Sequence, residues 1–180
     1  MSSADVLQHN GASAVAHGRP AIHVASIDEL VGAHPDTLRS VYGRGKPCDP
    51  AELGDRPTGR LLTLEMGSEA FMVLRPLVRA LAGGLSPWQG KVFDHGGNAG
   101  QNVVFGRHVA RFRTERAESL IDGEPTLALL YDSPAFGNPW PLRAVRDELR
   151  SVAPGIAIGP AIFPLGGTPR VVLWFGLGVR

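Results

Sequence analysis

The closing stretch of the chain, Arg170-Val171-Val172-Leu173-Trp174-Phe175-Gly176-Leu177-Gly178-Val179-Arg180, constrains the fold more than any other. Val171, Leu173, Phe175, Leu177 and Val179 fall on one side, and Trp174, Gly176 and Gly178 on the other. This is the period-2 alternation of a strand with one face in a core. From Leu85 onward the chain reads as short strands separated by turns, grouped about the block Tyr131-Asp132-Ser133-Pro134-Ala135-Phe136-Gly137-Asn138-Pro139-Trp140. An open sheet leaves two edges unpaired, and closing it removes both. The pattern therefore predicts a small antiparallel β-barrel, which encloses either packed side chains or one small ligand.

Ahead of these strands the pattern is helical. Residues 1–25 are small and polar without periodicity, and read as a disordered tail. Ser26-Ile27-Asp28-Glu29 fits a capping box, predicting a short helix through Val31. Pro35 opens a second helix that ends at Tyr42, before Gly43. Residues 43–60 read as a loop, Arg60–Glu65 as a first strand, and Ser68–Ala82 as a helix bent at Pro76, with Phe71, Leu74, Val78 and Leu81 on one face. The later strand segments are Gln89–Phe93, Asn102–Thr114, Thr126–Asp132, Ile156–Phe163 and Arg170–Arg180. Asn138, Pro139 and Pro141 predict a capped helix running to about Val152, stopped by Pro154-Gly155. The expected fold class is α+β: N-terminal helices followed by an antiparallel β-barrel with one short helix. Residues 26–180 form one expected domain, helical over 26–84 and barrel over 85–180.

Charge narrows the partners. With 18 basic and 17 acidic residues, no basic face for nucleic acid is expected. The first 25 residues hold no apolar run of signal-peptide or membrane-span length, so a cytoplasmic location is expected. Only Lys46 and Lys91 are lysines; the other 16 basic residues are arginines. The single cysteine, Cys48, excludes an intrachain disulfide and a cysteine-rich metal site. No His/Asp/Glu cluster has metal spacing, and no metal or cofactor is expected. P-loop, dinucleotide, HExxH and nucleophile-elbow motifs are missing. Asp94-His95-Gly96-Gly97 is similar to an esterase oxyanion loop but lacks the elbow that accompanies it.

Pro87-Trp88-Gln89-Gly90-Lys91-Val92-Phe93-Asp94 resembles the Trp-x-Gly-Lys-x-Phe-Asp stretch of small bacterial proteins with lipocalin-like, calycin-type barrels, relatives of the Gly-x-Trp-x-Gly domain proteins. The pieces Tyr131-Asp132, Asn138-Pro139, Arg143, Arg146-Asp147-Glu148-Leu149, Ala153-Pro154-Gly155 and Trp174-Phe175-Gly176-Leu177 are similar, in order, to a set of uncharacterised proteobacterial proteins. The resemblance covers roughly residues 85–180, with an echo over 38–62. Ser86-Pro87-Trp88 departs from the usual Gly-x-Trp opening. The resemblance implies a calycin-like barrel with Trp88 near its start, and implies no activity.

Candidate site residues follow from the strands. His108 lies mid-strand between Gly106 and Ala110, on the face expected to point inward because its small neighbours leave room for a partner. Two readings are open: an ordinary strand histidine, or a pocket acid, base or haem ligand. Asp132 either caps the following turn or serves with Tyr131 as an acid–base group. Arg143, Arg146, Asp147, Glu148 and Arg150 either decorate a solvated helix, or Arg146 or Asp147 turns inward across the barrel mouth. Trp88, Phe93, Phe105, Phe112 and Trp174 are candidate cavity walls, with Arg111 and Arg146 as polar anchors. Three functions are compatible: a barrel binding a small apolar or aromatic molecule, an isomerase or cyclase on that scaffold, or a module dimerising through the Phe71–Leu81 stripe.

Overall fold

The computed structural model describes residues 23–65 and 87–179. The helix expected over 68–82, with its Phe71–Leu81 dimerisation stripe, lies outside them, as do residues 1–22 of the expected tail. Val24, also assigned to that tail, is buried.

A 3-10 turn at Ile27–Leu30 leads to α1 (Pro35–Tyr42), a two-residue strand β1 (Lys46–Pro47) and the single-turn helix α2 (Pro50–Leu53). Eight longer strands follow: β2 (Thr58–Leu64), β3 (Trp88–Phe93), β4 (Ala99–Val104), β5 (Arg107–Glu118), β6 (Pro125–Leu130), β7 (Arg146–Ala153), β8 (Ile156–Leu165) and β9 (Thr168–Gly178). From β2 to β9 each pairs antiparallel with the next, and β9 returns to β2. The result is a closed, eight-stranded, up-and-down antiparallel barrel. β1 pairs with β7 beyond the end of β6. Among the described residues no helix is long and apolar enough to cross a membrane.

Two expectations are corrected. Residues 102–114 are not one strand. The chain reverses at Phe105 (φ 49°) and Gly106 (φ 73°), making β4 and β5 a tight hairpin. Positive φ at both central residues matches the right-handed twist of the flanking strands, but a bulky Phe rarely adopts it. The sequence therefore showed only Gly106 as a turn marker. The second correction is the helix expected over Asn138–Val152, which is a 3-10 turn at Leu142–Ala144 followed by strand β7. Arg, Glu and Leu favour helices, but here pairing with β6 and β8 overrides propensity.

The charges of β7 survive burial because the barrel carries a second layer. Its interior packs Trp88, Phe112, Leu149, Phe175 and Leu177. Outside the wall, Ile27, Leu30, Leu38, Tyr42, Ile158 and Trp174 form another core under the N-terminal segment. Ile27 lies over Gly176 and Gly178, 3.5 Å from where a Cβ on either would sit. Alternation on β7 thus sends Asp147 and Leu149 inward, and Glu148 and Arg150 outward but still covered. Glu148 accepts hydrogen bonds from Tyr42 (2.9 Å), Ser119 (2.6 Å), the Leu120 amide (2.9 Å) and Arg146 Nε (2.9 Å). Arg150 grips Asp122 with two 2.7 Å bonds and stacks 4.2 Å above the Tyr42 ring. These arginines fasten α1 and the β5–β6 turn to the wall.

Candidate functional site

The barrel encloses a cavity of about 470 Å³. Leu61, Trp88, Val104, Val172, Leu173 and Phe175 supply much of its apolar lining. The β6–β7 connection adds Phe136, Pro139 and Leu142. Against this lining stand five polar side chains: Lys91, Asn102, Tyr131 and Asp147, with Asn138 on the β6–β7 connection.

Strand irregularities bring them together. The β3–β4 register shifts between Trp88 and Gly90, and Gly90 holds φ 128°. Simple alternation would send Trp88 and Lys91, three apart, to opposite faces. The bulge lets both face the cavity. A second shift opposite Gln101 and Asn102 makes Ala110 (φ 55°) the extra residue of β5. This bulge switches the inward face: Ala110 and Val109 line the cavity, while His108 points out.

Lys91 is 2% exposed and gives three hydrogen bonds, to Asp147 Oδ2 (2.8 Å), Asn102 Oδ1 (2.9 Å) and Tyr131 Oη (2.9 Å). Tyr131 donates to Asp147 Oδ2 at 2.6 Å and accepts from Asn102 Nδ2 at 3.1 Å. Trp88 Nε1 donates to Asn102 Oδ1 at 3.0 Å. Four rings surround the ammonium: Phe175 at 5.0 Å, Phe112 at 5.1 Å, Tyr131 at 5.6 Å and Trp88 at 5.8 Å to their centroids. Burial pushes the Lys91 pKa down, and the Asp147 carboxylate opposes that shift. Burial, then the Asp147 charge, raises the Tyr131 phenol well above its usual range. The site is thus a buried ion pair whose ammonium is fully hydrogen-bonded, on the wall of an apolar hollow.

The predicted residues divide. Trp88 and Tyr131 line the cavity, and Phe93 and Phe112 are buried in the core around it. Phe105 is 73% exposed at the hairpin tip because the chain turns there. Trp174 belongs to the outer core, donating from Nε1 to Glu65 at 2.7 Å. Arg146 bonds Glu148 and the Glu118 carbonyl on the outer wall. Arg111 is exposed, its guanidinium 5.6 Å from the Phe136 ring centroid. His108 is exposed near Arg56, and Asp132 is exposed beside Arg113. Neither reaches the cavity. Asp147 does turn inward, but from a strand. Lys91 and Asn102 were missed. Sequence did hold a signal for Lys91, which shares a strand face with Phe93 and is one of two lysines. No group of three or more potential metal ligands occurs among the described residues.

No family model and no curated protein matches the chain. Among solved structures, it is similar to a crystal structure of a protein from Thermomonospora curvata, with 16% identity and a TM-score of 0.56, covering 86% of this chain and 93% of that one. At that identity the likeness establishes the fold alone.

Proposed function

We propose that this protein is a calycin-like barrel that binds one small, largely apolar or aromatic molecule, with the ligand's polar end against Lys91 and Asp147. The cavity carries the reading. Its volume of about 470 Å³ falls in the range of about 300–1,000 Å³ typical of small-molecule sites. Its lining is mostly apolar, with one compact polar group and Asn138, whose amide is held by the Arg111 and Tyr131 carbonyls, and a few placed polar groups fix a ligand's orientation. Asp147 takes both of its bonds on Oδ2, leaving Oδ1 as an acceptor for the ligand.

The test is titration with N-phenyl-1-naphthylamine, an uncharged fluorophore, into wild type and Ala161→Phe, which fills the cavity from β8. Saturable one-to-one binding to wild type, lost in the variant, is expected. Equal binding to both places the site elsewhere and overturns the reading.

A second reading, an isomerase on the same barrel, has the Tyr131–Asp147 pair in its favour as a buried proton donor and acceptor at the cavity wall. His108 and Asp132 have no part in it. Unchanged turnover of an identified substrate in Tyr131→Phe removes it.

A further inference from the structure

We propose that Lys91 captures the ligand covalently, as an imine with an aldehyde or ketone carbonyl. The inference rests on the cavity-binding reading above and assigns its ligand class.

Three observations carry it. The first is the choice of residue. Where this chain pairs a covered cation with a carboxylate on the outer wall, it uses arginine: Arg150 on Asp122 and Arg146 on Glu148. Inside the cavity it uses one of its two lysines. Both residue types satisfy a carboxylate, but only lysine can release a proton and become a nucleophilic amine.

The second is the bonding around Nζ. Each of the three acceptors of Lys91 has another donor. Asn102 Oδ1 keeps Trp88 Nε1, Tyr131 Oη keeps Asn102 Nδ2, and Asp147 Oδ2 keeps the Tyr131 hydroxyl. An iminium has one N–H where the ammonium has three. Lys91 therefore gives up two bonds without leaving a buried acceptor unpartnered, the usual obstacle to altering a buried polar cluster.

The third is charge. The reaction converts one cation to another, so the Asp147 counter-ion and the four rings serve product as they serve reactant.

The step balances. Asp147 takes one proton from the ammonium, and burial favours that loss. The amine attacks the carbonyl carbon, forming the C–N bond, and a second nitrogen proton moves to oxygen. Asp147 returns its proton to the carbinolamine hydroxyl, the C–O bond breaks, and water leaves as the nitrogen lone pair forms C=N. Lysine ammonium and aldehyde give protonated imine and water. Lys46, exposed and ion-paired with Glu52, has its pKa raised and stays protonated.

The experiment uses the full wild-type chain with benzaldehyde, 3-phenylpropanal or decanal and sodium cyanoborohydride, read by intact mass and peptide mapping. Displacement of N-phenyl-1-naphthylamine by 3-phenylpropanol is measured in parallel. One reduced adduct on Lys91 is expected, exceeding that on Lys46, whose amine stays protonated. Lys91→Arg should carry no cavity adduct. Mapping on wild type keeps the result independent of whether that variant folds. Absence of a Lys91 adduct across the series, or adducts only on Lys46 and the terminal amine, overturns the imine. If the alcohol still displaces the fluorophore, the binding reading survives. If the fluorophore does not bind, both fall.

Discussion

The Lys91–Asp147 pair makes a quantitative prediction about stability. Lys91→Met leaves the Asp147 carboxylate buried with Tyr131 as its remaining donor, and Asp147→Leu leaves a buried ammonium without its counter-ion. Breaking a buried pair from either side costs about 3–5 kcal/mol. For a chain of this size about 2–4 °C accompanies each kcal/mol, so each single variant should melt ~6–20 °C below wild type. The double variant removes both charges. Asn102 Oδ1 keeps Trp88, and Tyr131 can turn its hydroxyl toward the acceptor site that Lys91 vacates on Asn102. Replacing both ions with apolar side chains is often neutral or stabilising, and one perturbed hydroxyl costs about 1–2 kcal/mol. The double variant should therefore be more stable than either single one, with a coupling of at least about 2 kcal/mol. Equilibrium urea unfolding of all four proteins, followed by tryptophan fluorescence, measures it. Additive losses would refute the account, because they would mean that the two charges do not depend on each other in the folded state.

Gly159 on β8 should be irreplaceable, since a Cβ there would sit 1.5 Å from the Glu148 carbonyl oxygen and force β7 from β8. Gly159→Ala should lose at least about 3 kcal/mol, the upper end for overpacking. Gly176→Ala, whose Cβ meets Ile27 at an ordinary 3.5 Å, should stay within about 1 kcal/mol of wild type in the same melt. Cys48 is fully buried, and burial pushes its thiol from 9.0 up to about 11. The native state then holds a proton that the unfolded state releases, so this contribution to stability is present below pH 9 and is lost as pH rises to about 11. Wild type should lose stability relative to Cys48→Ala over that window in pH-dependent urea unfolding; parallel curves would show that the thiol does not titrate differently on folding.

Part of this protein was written in local pattern. Alternation in β9, the apolar run of β8 and the turn residues between segments were enough to predict antiparallel strands and closure, because a strand's side-chain period is a property of the backbone itself. Trp88 was legible through the resemblance of its segment to a barrel opening, and Tyr131 as a titratable group at a strand end. Local pattern failed where a contact distant in sequence decided the outcome. Arg146 to Ala153 looks helical in isolation, and becomes a strand because β6 and β8 offer paired edges and Tyr42, Ser119 and Asp122 offer partners to its charges. His108 was placed inside by unbroken alternation and Phe105 was read as a cavity wall, and a tight turn and a one-residue bulge left both outside. The polar cluster was the least legible of all. Lys91, Asn102 and Asp147 come from three different strands and Tyr131 directly follows a fourth, and each is unremarkable along the chain. Sequence by itself determined that a wall of strands would form; only the closed barrel, with its bulges and its second covered face, decided that a lysine, an asparagine, a tyrosine and an aspartate would meet across the hollow. Desolvation then makes their partnership obligatory, since neither the ammonium nor the carboxylate is stable in that interior alone.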